Sequence, residues 1–149
     1  MTAGYSGTPL PKKLEIKPGH RVALVAAPSD FLDVLGDLPE GSRIVGSLRG
    51  TRPFDVIVWF VKKQSDLEKR FGSIAKRLDP AGGLWVAWPK QASGVATDLN
   101  GNTVREAVLA SGLVDNKICA IDETWSGLRG VVRLVDRPGS AGKLQRRRT

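Results

Sequence analysis

The stretch Phe54 to Lys90 reads as a strand, a helix and a second strand, and no other part of the chain constrains the fold as strongly. Asp55 to Val61 is a nearly unbroken apolar run, the pattern of a strand buried on both faces of a parallel sheet, and Gly83 to Trp88 repeats it. Between them Ser65 and Glu68 form a capping-box pattern. Leu67, Phe71, Ile74, Ala75 and Leu78 then recur at helical spacing, and Pro80 with Gly82 and Gly83 marks the end of the segment. Two parallel strands joined by a helix cross over right-handed, so this unit predicts an α/β sheet with helices packed on it.

The flanking segments extend that pattern. Thr8 is placed to cap a short helix with Pro9 in its first turn and Leu10 and Leu14 on one face. Lys17-Pro18-Gly19 turns into a small-residue apolar strand, Arg21 to Ala27, and Pro28-Ser29 opens a helix through about Leu35, stopped by Gly36 and Pro39. Arg43 to Ser47 predicts a brief second strand. The polar stretch Leu48 to Pro53 then leaves little room for a third strand and its helix before Asp55. After the loop Gln91 to Asn102, Thr103 and Glu106 form another capping-box pattern for a helix to about Ser111, with Gly112 as C-terminal cap and Leu113 packing back. Lys117 to Ile121 reads as a strand, Asp122 to Gly127 as a polar turn, and the alternating Leu128 to Val135 as an antiparallel last strand. The expected architecture is a three-layer, Rossmann-like, mostly parallel sheet.

At 149 residues and 41% hydrophobic content the chain fits one domain, 1–137, followed by a basic disordered tail, 138–149. The formal charge is +8, and Lys143, Arg146, Arg147 and Arg148 lie together near its end. A tail of this kind suits weak, sequence-independent contact with nucleic acid. Cys119 is the only cysteine, which excludes an intramolecular disulfide and fits a reducing compartment. His20 is the only histidine, so a multi-histidine metal site is excluded and no metal is expected. With no charged leader followed by an apolar run, and no run of about 18 apolar residues, the sequence predicts a cytoplasmic protein rather than a membrane one.

The strand Phe54-Asp-Val-Ile-Val58, followed by a helix and then Arg77-Leu-Asp-Pro-Ala-Gly-Gly-Leu-Trp-Val-Ala-Trp88, resembles the fourth and fifth strands of S-adenosylmethionine-dependent methyltransferases. Ile16 to Val25 is similar to the segment that leads such enzymes into their first strand. More closely, the layout resembles a family of small bacterial proteins known as a domain of unknown function with a methyltransferase-like fold. The matching segments are Tyr5 to Leu10, Gly83 to Lys90, Ser93 to Asp98 and Asp122 to Gly127. The resemblance implies a shortened methyltransferase-like sheet whose last strand runs antiparallel.

In open α/β sheets ligands bind beyond the carboxyl ends of the strands, where the strand order reverses. The candidates at that edge are Ser29, Lys62, Trp88, Lys90, Ser93, Asp98, Asp122, Glu123, Trp125 and Arg129. Lys90 could hold phosphate, Ser93 to Asp98 could form a binding loop, Asp122 and Glu123 offer paired carboxylates, and Trp125 with Arg129 could stack on a ring, although Trp125 equally suits a core anchor. No catalytic residue stands out. The turn Val25 to Asp30 has no glycine where the methyltransferase pattern needs close backbone approach, and its Pro28 removes a donor. No acidic residue follows the second strand to bind ribose hydroxyls. The sequence therefore predicts no S-adenosylmethionine cofactor, and a binding or regulatory module for an unknown protein or small molecule. The alternatives are a methyltransferase or other small-ligand enzyme with an atypical cofactor turn, and a nucleic-acid-binding protein using Lys62, Lys63 and the tail.

Overall fold

The computed structural model describes residues 8–136; the tail and the residues Tyr5 to Gly7 of the first family segment lie outside them. In chain order come α1 (Leu10–Lys13), β1 (Arg21–Val25), α2 (Phe31–Leu35), β2 (Arg43–Val45), β3 (Phe54–Phe60), α3 (Gln64–Ala75), β4 (Leu78–Pro89), α4 (Gly101–Ala110), β5 (Leu113–Ala120) and β6 (Trp125–Val132). The strands form a six-stranded sheet in the order β2-β1-β3-β4-β6-β5. β2, β1, β3 and β4 pair in parallel, while β6 runs antiparallel to both β4 and β5. The strand order reverses between β1 and β3, as expected, and β2 passes straight to β3 through residues 46–53 with no further strand or helix.

The apolar runs of β3 and β4 are explained by burial on both faces. Leu84, Val86 and Trp88 of β4 meet Leu67, Phe71 and Ile74 of α3 and Val104 and Val108 of α4. Trp85 and Ala87 point the other way, into a cluster with Leu10, Leu14, Phe31 and Leu35. Each such large side chain contributes about 1.5–3 kcal/mol on burial, so the two clusters hold the helices to the sheet. The Trp85 indole N–H donates to the Leu14 carbonyl at 3.0 Å, satisfying the one polar atom that this ring carries into the core.

Element ends depart from the sequence expectation for local reasons. Pro9 rather than Thr8 is the N-cap of α1, and no side chain caps it. β1 stops at Val25, and α2 starts at Phe31 rather than at Pro28-Ser29. β2 ends at Val45, two residues before Ser47. Ser65 and Glu68 do not form a capping box, because α3 begins two residues earlier, with Lys63 at the N-cap, and Asp98 supplies the side-chain partner: the Gln64 N–H donates to Asp98 Oδ1 at 2.8 Å. Nor is the box of α4 at Thr103 and Glu106; Asn100 and Thr103 make it, one turn earlier. Leu78 and Pro80 lie in β4, not at the end of α3, since Leu78 pairs with Phe54 and Gly83 with Val56, leaving the residues between as a bulge. A Cβ on Gly82 would overlap the Asp55 carbonyl oxygen, which explains the glycine in that bulge. β5 begins at Leu113 instead of Lys117 and is bulged at Asn116, between Asp115 and Lys117. β6 begins at Trp125, so the turn is shorter than Asp122 to Gly127, and Leu134 to Asp136 form a 3-10 turn instead of continuing the strand.

The short connection between β2 and β3 is fastened by two arginines. Arg77 donates to the carbonyls of Leu48, Arg49 (3.2 Å) and Arg52 (2.8 Å), and Arg21 donates to those of Arg52 and Pro53, both at 3.1 Å. Both guanidinium groups lie over the buried Phe54 ring, at 4.2 Å for Arg21 and 5.1 Å for Arg77. Arg21 also donates its backbone N–H to Asp55 Oδ2 at 2.8 Å.

Candidate functional site

The carboxyl ends of β1, β3 and β4 open onto loops that are largely occupied with holding one another. Beyond β1, Ala26 takes a left-handed conformation, φ 57°, and the Phe31 N–H donates back to the Pro28 carbonyl at 3.0 Å to start the five-residue α2. Beyond β3, the Lys62 carbonyl accepts from Thr97 Oγ1 at 2.6 Å, while Asp98 caps α3 from the same loop. Beyond β4, the Lys90 N–H donates to the Thr124 carbonyl at 2.8 Å, and Ser93 Oγ donates to the Lys90 carbonyl at 2.6 Å. Asp122 Oδ1 accepts from the backbone N–H groups of Thr124 and Trp125, both at 2.8 Å, closing the turn before β6.

These contacts sort the ten candidates. Ser93 and Asp122 spend polar atoms on local backbone, as turn residues do, and Asp98 spends one on the distant Gln64 N–H as a cap. Trp88 and Trp125 are core residues, 6% and 7% exposed, on opposite faces of the sheet, and Trp125 meets Phe60 edge-on at 5.0 Å. Arg129 is not at this edge. It stands mid-strand, opposite Trp85 and Lys117, with its guanidinium against Gly83 and 3.9 Å from Glu15. Ser29, Lys62 and Glu123 are exposed, and Lys90 is half-buried, so these four are what the edge presents to a ligand.

Cys119 is half-buried, and burial pushes its thiol above the ordinary value against the lowering effect of Lys13 and then Lys117, which makes it a poor nucleophile near neutrality. Among the described residues no group of three or more His, Cys, Asp or Glu side chains could hold a metal, and no helix is long and apolar enough to cross a membrane. A groove of about 740 Å³ runs between α3 and α4 over Leu67, Phe71, Ala75, Ala107 and Ala110, on a helical face rather than the carboxyl edge. No motif in the sequence marks it. Its only trace there is the run of small residues Gly72, Ala75, Ala107 and Ala110, which is also ordinary for helices packed close together.

The sheet order, with its antiparallel last pair, defines a methyltransferase-like Rossmann fold, and comparison with solved structures agrees. An S-adenosylmethionine-dependent methyltransferase from Aquifex aeolicus superimposes with a TM-score of 0.58 at 13% identity, covering 82% of this chain and 87% of that one. Aeropyrum pernix fibrillarin, solved with natively bound S-adenosyl-L-methionine, gives 0.56 at 12% identity over 86% and 70%. A ribosomal protein L11 methylase from Lactobacillus delbrueckii subsp. bulgaricus gives 0.55 at 12% identity over 83% and 75%. Likeness at such identities speaks for the fold alone. No curated protein matches the sequence. Residues 51–134 match the family described as "Protein of unknown function (DUF3052)", and the chain belongs to that family.

The residues at the strand-order reversal depart from the glycine-rich turn and ribose-binding carboxylate of the methyltransferase pattern. Pro28 has no N–H to offer, the left-handed position is filled by Ala26 with its methyl group, and the segment after β2, Gly46-Ser47-Leu48, has no carboxylate for a ribose.

Proposed function

We propose that this chain is a methyltransferase-like module that no longer uses S-adenosylmethionine and acts by binding a partner molecule at the carboxyl edge. The observation that carries this reading is the turn between β1 and α2: glycine-free, interrupted by Pro28 and followed by a helix of five residues. A dinucleotide-type or nucleoside ligand is held in such folds by successive backbone N–H groups and a long helix behind them, and neither is available here. The loops beyond β3 and β4 are bonded to each other through Thr97 and Asp98, while Ser93 and Asp122 each close a turn of their own segment, which suits a firm, pre-formed surface. Ser29, Lys62, Lys90 and Glu123 carry the polar contacts on it.

Calorimetric titration tests the cofactor half of the reading: S-adenosylmethionine gives no measurable heat of binding. A dissociation constant in the low micromolar range, about 8 kcal/mol of binding free energy, overturns it and favours an enzyme with an atypical cofactor turn. Native mass spectrometry of freshly purified protein tests the other half. A species retained by the wild type is lost from the Lys62→Ala/Lys90→Ala variant at unchanged melting temperature; equal retention by both places binding elsewhere.

A further inference from the structure

The amino end of the sheet, opposite the carboxyl edge, gathers several arginines. Arg21 and Arg43 begin β1 and β2 in direct register, so their Cα atoms are neighbours across one strand spacing. The stretch 41–53, which comprises β2 and its connection to β3, reads Gly-Ser-Arg-Ile-Val-Gly-Ser-Leu-Arg-Gly-Thr-Arg-Pro, with Arg43 in β2, Arg49 and Arg52 in the connection, and no carboxylate. Arg77 and Arg21 are fastened to the carbonyls of that same connection. Five guanidinium groups thus surround one short loop. Among the described residues the ion pairs are Arg105 with Asp115, Glu15 with Lys117 and Arg129, and Arg133 with Asp136, and none involves these five.

Arg21 and Arg77 have a structural duty as donors to the loop. Arg43, Arg49 and Arg52 have none that the structure records: all three are exposed, with no described carbonyl or carboxylate receiving their side chains. Because Arg21 and Arg77 pin the loop backbone, these three are also displayed from a fixed frame rather than a mobile one. The nearby carboxylate of Asp55 is turned to the Arg21 backbone N–H.

We propose that this arginine surface binds the phosphate backbone of double-stranded nucleic acid without reading its sequence. The chemistry favours that partner over other anions. The exposed cations are arginines, whose planar fork matches phosphate oxygens in pairs. The aromatic ring in the cluster, Phe54, is fully buried beneath the guanidinium groups and cannot stack on an unpaired base, which removes the usual means of gripping a single strand. None of the exposed large apolar residues, Leu32, Val34, Leu109, Ile118, Leu134 and Val135, belongs to the loop, so the loop itself offers no apolar side chain of that kind to a lipid surface. The surface is separate from the carboxyl edge.

The test is fluorescence anisotropy of full-length protein with a labelled duplex of about 20 base pairs, two helical turns, across a salt series. Three variants accompany the wild type: Arg43→Ala/Arg49→Ala/Arg52→Ala, the charge-matched Lys12→Ala/Lys63→Ala/Lys69→Ala, and the tail variant Lys143→Ala/Arg146→Ala/Arg147→Ala/Arg148→Ala. At about 0.9 per phosphate contact, the arginine triple lowers the log–log salt slope by about 2–3, with an unchanged melting temperature, while the lysine triple leaves it near the wild-type value. The tail variant keeps the arginine-dependent part of the slope. The inference is overturned by an equal loss in both triples, by binding that vanishes with the tail substitutions alone, or by capture of phosphatidylserine vesicles in place of the duplex.

Discussion

Among the described residues Ala26 and Glu15 are the two that adopt a positive φ without being glycine. At φ 57° Ala26 occupies the left-handed region at the exposed turn after β1, where a Cβ crowds the following carbonyl at a cost of about 1–2 kcal/mol. Glycine relieves that contact but gives up some unfolded-chain restriction, so Ala26→Gly is expected to stabilise the protein by about 0.5–1 kcal/mol, seen as a raised urea midpoint at constant slope. A lowered midpoint would mean that the methyl group makes a contact worth more than the strain. The same position illustrates what sequence can and cannot say about the site. The absence of glycine and the presence of Pro28 were visible in the letters; that an alanine nonetheless keeps the left-handed turn was not, because only the closure of the chain back onto α2 imposes it.

At the scale of elements, the strands and helices were legible because burial on both faces of a parallel sheet and an apolar stripe on each helix leave plain periodicities. Their ends were not, because long-range partners set them. Asp98, thirty-four positions along the chain from Gln64, replaces the local cap that Ser65 and Glu68 suggested. Asp98→Ala therefore removes the N-terminal partner of α3 and is expected to cost about 1 kcal/mol, read as a lower melting temperature; Ser65→Ala, which removes no cap, leaves it within the scatter of surface substitutions. Equal effects from the two would restore the local capping box. Ten site candidates were drawn from one edge, and the structure leaves four presenting polar groups there. Polar letters in a loop do not reveal whether they face solvent or close the loop's own turns, and Asp122 does the second. Arg129 was misplaced by connectivity alone: it follows the edge turn in sequence, but an extended strand carries it about 3.4 Å per residue away.

At the scale of the whole molecule, a sheet with no strand beyond β2 needs something to seal its β2–β3 end, and Arg77 supplies it. Its guanidinium group satisfies carbonyls of residues 48, 49 and 52 and covers Phe54. Arg77→Met keeps most of the stem's packing and removes those donors, with an expected cost of about 2 kcal/mol and faster amide hydrogen exchange confined to residues 46–53. Exchange that rises equally in β4 and β6 would show that Arg77 supports the global core instead. The shortened connection was foreseen from the brevity of 48–53; the arginines that hold it were passed over because a charged residue between elements ordinarily reads as solvated surface.

The bulge at Asn116 has a consequence for the molecule in company. β5 closes one side of the sheet, and a long straight margin of unpaired amides there would be a template on which neighbouring copies could add strands without limit. Skipping Asn116 in the pairing with β6 breaks the spacing of donors along that margin. On the opposite side β2 is three residues long, too short a ladder to seed growth. Both margins thus resist fibrillar extension around a centre of three neighbouring strands, β1, β3 and β4, rich in apolar sequence.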